Sequence, residues 1–167
     1  MEVLVTGPVP GISAVDERAK RTVEQTVRAI GKGFRVWHDA LPAGKYPFSW
    51  DIDDRLALAE EMNAEVARTP EFQEVTRARE LVGAPDLVVG HGDACAPNTL
   101  VSIDDEFVRH VDLGDVGIAD RWSALSVTML SLGWNYGPGW EDPFLETCGI
   151  DRDEQKIRLY QALWELT

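Results

Sequence analysis

The sequence predicts an α+β fold, mostly helical, with one small β-hairpin that carries the loops of chemical interest. Three observations lead there. Apolar residues recur at three- and four-residue intervals over long stretches, as at Val15, Ala19, Val23, Val27 and Ile30, a spacing that gathers side chains on one helix face. Two β-rich runs, 99–103 and 107–113, flank the turn-forming Asp104-Asp105-Glu106 and read as a hairpin. A further apolar run, Leu87-Val88-Val89-Gly90, delivers the chain onto a glycine-flanked polar loop. With 167 residues and 44% hydrophobic content, the chain has the material for one domain with a real core.

Taken in order, residues 1–6 form a short β-branched run, broken by Gly7-Pro8-Val9-Pro10-Gly11. Residues 13–37 follow as a helix bearing the stripe named above, with His38 in the turn at its end as a structural hydrogen bonder. An aromatic, proline-containing loop over 45–50 leads to Asp51-Ile52-Asp53-Asp54. Those carboxylates suit the first turn of a helix, which is expected to run to about Val66. Another helix covers 70–81. After the hairpin, 118–132 is expected to be helical, with Asp120 capping it or bracing the loop before it. An aromatic loop over 133–141 and two helices, 140–148 and 151–166, close the chain. The stripes of 15–30, 118–132 and 157–166 are expected to face one another.

Bulk properties exclude several classes. The chain has 16 basic and 29 acidic residues, a net charge of −13, which repels nucleic acid phosphates and anionic membrane surfaces and suits a cationic partner. No apolar run reaches the roughly 20 residues that span a bilayer, and no basic leader precedes the first apolar stretch. Two cysteines, Cys95 and Cys148, without metal-ligand spacing, read as reduced thiols of a cytoplasmic protein.

The chemistry concentrates in His91-Gly92-Asp93-Ala94-Cys95-Ala96-Pro97-Asn98 and in Val111-Asp112-Leu113-Gly114. An isolated Asp or Asn in a loop is ordinarily turn chemistry. Here the hairpin places three such residues at one end, in the order and spacing of a metal-dependent phosphoryl-transfer site. In such sites an Asp takes the proton of the attacking hydroxyl, an Asn five positions on holds magnesium, and an Asp on a neighbouring strand end bridges metal and triphosphate. Asp93, Asn98 and Asp112 have those identities.

The same residues, with Asp112-Leu113-Gly114-Asp115-Val116-Gly117-Ile118-Ala119-Asp120-Arg121, resemble the catalytic segment of aminoglycoside 3'-phosphotransferases. Residues 144–150 and 159–167 resemble that family's last two helices, so the likeness is specific over 86–167 and looser before. It implies a protein-kinase-like large, C-terminal lobe over 12–167, with 1–11 as the remnant of the inter-lobe hinge strand and the small lobe missing. It further implies an ATP- and Mg2+-dependent transfer to a small-molecule hydroxyl, with Asp93 as catalytic base and Asn98 and Asp112 as metal ligands. Gly7 and Val9 would line the adenine edge, and Asp93 and Glu165 would meet a polycationic aminoglycoside. The pattern departs where family acids and an arginine would stand, at Ala96, Asp115, Ala124, Trp134 and Asn135. A second expectation is therefore a catalytically silent lobe that binds a ligand or partner, or a kinase for a different alcohol. An apolar edge over 3–6 invites a homodimer or a separate small lobe.

Overall fold

The computed structural model describes residues 7–167, and the run expected to form a hinge strand over 1–6 lies outside the described residues, as does the dimerising edge over 3–6. The elements are β1 (Ile12–Ser13), α1 (Val23–Ala40), α2 (Ile52–Met62), α3 (Pro70–Ala78), β2 (Leu87–Gly90), β3 (Thr99–Val101), β4 (Phe107–His110), β5 (Gly117–Asp120), α4 (Arg121–Tyr136), α5 (Glu141–Cys148) and α6 (Glu154–Leu166). The α+β character and the hairpin β3–β4 match the sequence expectation.

Three boundaries differ from it. The first helix starts at Val23 and not at residue 13, because Ile12 and Ser13 pair antiparallel with Val101 and Leu100 and extend the hairpin to three strands. Val15 and Ala19 fit the helical stripe in spacing, yet they are carried by a turn and a 3-10 segment over Ala19–Thr22. The second difference is β5. Residues Gly117–Asp120 were expected to be mostly helix, but they pair antiparallel with β2, from Leu87↔Asp120 to Gly90↔Gly117. The strand stops where the Asp120 carboxylate accepts a hydrogen bond from the Trp122 N–H and opens α4. The expected helix to Val66 also stops early, at Met62, after starting on the Asp51 cap, whose carboxylate accepts from the Asp54 N–H.

The core forms between α1, α4, α5 and α6, around Phe34, Leu125, Leu132, Phe144 and Leu163, all 1% exposed or less. Helix α4 packs along α6 as expected, whereas α1 packs chiefly along α5. That approach is close because Gly31 has no side chain: a Cβ there would lie 2.9 Å from the Phe144 carbonyl oxygen. Two buried cations fix the ends of α6. The Lys156 Nζ donates to Asp120 Oδ2 (2.6 Å) and to the Ala84 carbonyl (3.1 Å). Arg55, 1% exposed, donates to the Leu163 carbonyl and the Thr167 hydroxyl and lies over the Trp50 and Trp164 rings. Among the described residues no helix is long and apolar enough to cross a membrane, and both cysteines are free.

Candidate active site

Strand β2 ends against a set of buried rings. His91 is fully buried and packs on Trp37, Phe34 and His110, with ring centroids 6.2, 6.5 and 5.4 Å away. His38 lies inside α1, not in a turn beyond it, 5.9 Å from Phe34, and its Nε2 has no partner among the described residues. Burial disfavours the imidazolium in all three. It holds His38 down to about 4 and His110 down to about 3, and it lowers His91 as well. The Trp37 indole donates to the Val89 carbonyl at 2.7 Å, which ties α1 to β2 at the point where the loop begins.

The next residue makes the loop possible. Gly92 has φ +85°, and a Cβ on it would sit 2.2 Å from the Asp115 carbonyl oxygen, so only hydrogen fits between the two loops. Asp93 then turns toward Asn98. The Asn98 Nδ2 donates to the Asp93 carbonyl (3.1 Å) and to Asp93 Oδ2 (2.9 Å), while Asp93 Oδ1 is buried with no hydrogen-bond partner among the described residues. The Asn98 backbone is fixed on both sides: its N–H donates to the Cys95 carbonyl and its carbonyl accepts from the Val111 N–H, each at 2.9 Å. Because Thr99 faces His110 in the ladder, Asn98 stands beside Val111, one residue before Asp112. The hairpin thus brings Asn98 against Asp93 and beside the residue that precedes Asp112.

Asp112 is exposed and left-handed at φ +59°, a conformation that costs a non-glycine residue roughly 1–2 kcal/mol. Gly7 and Val9 share with Asp112 the wall of an open cleft of about 840 Å³, which Pro10 and Arg109 also line. Glu165 is exposed in the last turn of α6, the end held by Arg55. Burial lowers the Arg55 pKa to about 10, with Tyr160 and then Asp115 opposing the shift. From the end of α6 the packing passes through Arg55 to Trp50, whose Cβ would meet one on Gly117 at 2.7 Å, and Glu165 itself is not brought against Asp93 by any described contact. Asp120 belongs to the α4 cap and the Lys156 pair, a structural role.

The residues present fit a magnesium ion. The amide nitrogen of Asn98 is spent on Asp93, leaving Oδ1 as its free group, and Asp112 supplies a carboxylate, both hard oxygen donors. The unpartnered Asp93 Oδ1 is a buried acceptor suited to a hydroxyl proton. Spacing did not reveal that two hydroxyls of α4 hold this loop: Thr128 Oγ1 donates to the Ala94 carbonyl and Ser131 Oγ accepts from the Ala96 N–H. The sequence offers four hydroxyl residues on this helix, Ser123, Ser126, Thr128 and Ser131, and nothing in their spacing tells which two meet the loop.

Comparison with known proteins agrees with this architecture. The profile of the Phosphotransferase enzyme family matches residues 2–160. An aminoglycoside 3'-phosphotransferase of Niallia circulans is 34% identical over 116 residues, 68% of this chain and 44% of that protein. One from Streptomyces fradiae is 31% identical over 97% of this chain and 67% of its own length. A streptomycin 3''-kinase of Streptomyces griseus is 29% identical, with 98% of this chain and 68% of that protein covered. The chain thus spans between 44% and 68% of the length of these three relatives. Among solved structures, an aminoglycoside 3'-phosphotransferase of type VIII superposes with a TM-score of 0.81 at 24% identity over 96% of this chain and 67% of that one. An aminoglycoside phosphotransferase from Streptomyces rimosus in complex with ADP and streptomycin gives 0.77 at 26% identity, covering 96% and 68%. The fold is that of these protein-kinase-like enzymes, and the chain belongs to the phosphotransferase enzyme family.

Proposed function

We propose that the chain is the part of an ATP- and Mg2+-dependent small-molecule kinase that carries the reacting groups, the large lobe over 12–167, with an aminoglycoside as the first acceptor to try. The observation that carries this reading is the hydrogen bond from Asn98 to Asp93 beside the strand end bearing Asp112, next to an open cleft. The Asp93 carboxylate is held by Asn98 through Oδ2 and keeps Oδ1 for the acceptor hydroxyl, which it orients and whose proton it takes. Asn98 Oδ1 and Asp112 would hold magnesium, which, when bound, neutralises charge on the triphosphate. The backbone of Gly7 to Val9 would meet the adenine, across the cleft from Asp112. Glu165 and Asp93 would face a cationic acceptor.

The relatives named for aminoglycosides, and the one solved with ADP and streptomycin, support the acceptor class and the nucleotide. Transfer of the ATP γ-phosphoryl group to kanamycin and to streptomycin is the test, run on the chain and on a chimera that adds the unmatched portion of the Streptomyces fradiae relative. Asp93→Ala should lower turnover by roughly 10²–10⁴-fold, the size typical of general-base loss. Turnover within a few-fold of the parent would remove Asp93 from that role. Nucleotide binding without transfer to any alcohol would leave the silent, ligand-binding reading.

A further inference from the structure

Helix α4 is buried on nearly all sides, and residues 122–129 are buried without a break. Such a helix ought to be apolar throughout, yet it buries four hydroxyl residues, Ser123 (6% exposed), Ser126 (0%), Thr128 (0%) and Ser131 (1%), of which Thr128 and Ser131 reach the loop before the hairpin. Three residues apart, the two side chains share a face. That face meets the loop between Asp93 and Asn98. Thr128 Oγ1 lies 2.8 Å from the Ala94 carbonyl and 3.0 Å from the Ala124 carbonyl of its own helix, and shares its single proton between them, with the shorter distance to the loop; Ser131 Oγ accepts from the Ala96 N–H at 2.9 Å. The bonds flank Cys95 and satisfy the buried Ala94 carbonyl and Ala96 N–H, which have no strand partner. One turn on, the Asn135 amide donates to Ser131 Oγ (3.2 Å) and to the Ser131 carbonyl (2.8 Å), which fixes the acceptor hydroxyl in place.

We infer that Thr128 and Ser131, braced by Asn135, are positioning residues that dock the Asp93–Asn98 loop on α4 in the register that lets Asn98 hold the Asp93 carboxylate. The consequence for phosphoryl transfer rests on the function proposed above; the docking itself does not. Neither hydroxyl touches a reacting atom, so each acts through the backbone. The Asn98 N–H bond to the Cys95 carbonyl passes the anchoring on, since Cys95 is held from both neighbours.

Cys95 gives a readout inside the loop. It is half-buried, whereas Cys148 is buried in the core at 6% exposure and serves as the internal reference. Burial raises both thiols to about 12, so both react slowly at neutral pH while the loop is docked. The experiment follows N-ethylmaleimide alkylation of each cysteine by mass spectrometry in the parent chain, Ser131→Ala, Thr128→Val, Thr128→Ser and Asn135→Ala. Ser131→Ala and Thr128→Val should each speed alkylation of Cys95 by roughly tenfold, the factor for one buried hydrogen bond lost from a docked segment, with Cys148 unchanged. Thr128→Ser, which restores the hydroxyl, should return the parent rate, and Asn135→Ala should give a smaller rise. Unchanged Cys95 rates, or equal acceleration of Cys95 and Cys148, would overturn the proposal. Asn135→Ala, a half-buried change, keeps the question open to test if the core variants do not fold. In the transfer assay the same variants should lower kcat with the KM for ATP unaltered. If Asp93→Ala leaves transfer intact while Cys95 still responds, the function falls and the docking stands.

Discussion

At the scale of single residues, the site is built from backbone constraint as much as from side-chain chemistry. Asp93, Asn98 and Asp112 could be picked out as a group because a motif fixes identity and spacing, and the hairpin that sets Asn98 beside Val111 is a local feature. Arg55, Thr128 and Ser131 were not, because each acts on a partner far along the chain: Arg55 on Leu163 and Thr167, Thr128 on Ala94 and Ser131 on Ala96. Periodicity tells which face of α4 is buried and is silent on what the face meets. Gly92 lies between these cases. The glycine was visible, and the contact with Asp115 that requires it was not. Gly92→Ala places a Cβ against that carbonyl at positive φ, so the loops must part. The variant should fold with a loss of roughly 1–3 kcal/mol, the cost of such strain, and lose transfer activity out of proportion to that loss. Urea denaturation beside the kinetic assay checks both halves, and a variant with parent activity would contradict the close approach.

At the scale of elements, the predicted helices and hairpin were found, and errors fell at boundaries. The start of α1 was misplaced because a 3-10 turn continues the helical spacing of Val15 and Ala19, and β5 was hidden because its four residues run directly into the apolar face of α4. The Asp120 cap marks that boundary, and its capping role was foreseen although the strand before it was not. Packing between α1, the end of β2 and β4 also gathers all three histidines around Phe34. Their folded pKa values lie below the usual 6.5, so the unfolded chain binds more protons between that value and the folded ones. Their neutral forms therefore stabilise the fold fully above about pH 6.5, and this contribution declines as the pH falls toward 4 for His38 and 3 for His110. Each histidine adds a slope of up to about 1.4 kcal/mol per pH unit in that window. The urea midpoint should fall steadily from pH 7 to 5, and a flat profile would show that the imidazoles are not held neutral.

At the scale of the whole molecule, an acidic chain of net charge −13 presents an open cleft whose wall joins Gly7 and Val9 to Asp112, while Asp93 stands at the neighbouring strand end. The fold was legible as a class from periodicity and as a family from the loop motifs. The family profile and the superposed structures bear that out. The acceptor is the least legible feature: where the resemblance led one to expect acids stand Trp134, 64% exposed, and Asn135, whose amide is turned onto Ser131. The division of labour between Asp112, which would hold metal and nucleotide, and Asp93, which would take the proton, is the centre of the account. Calorimetric titration of ATP into the chain, with magnesium and then with EDTA, measures it directly. Binding should require magnesium, weaken by roughly tenfold or more in Asp112→Ala, and stay within a few-fold of the parent in Asp93→Ala. Binding that is indifferent to magnesium, or unchanged in Asp112→Ala, would contradict the assignment of this loop pair as the phosphoryl-transfer site.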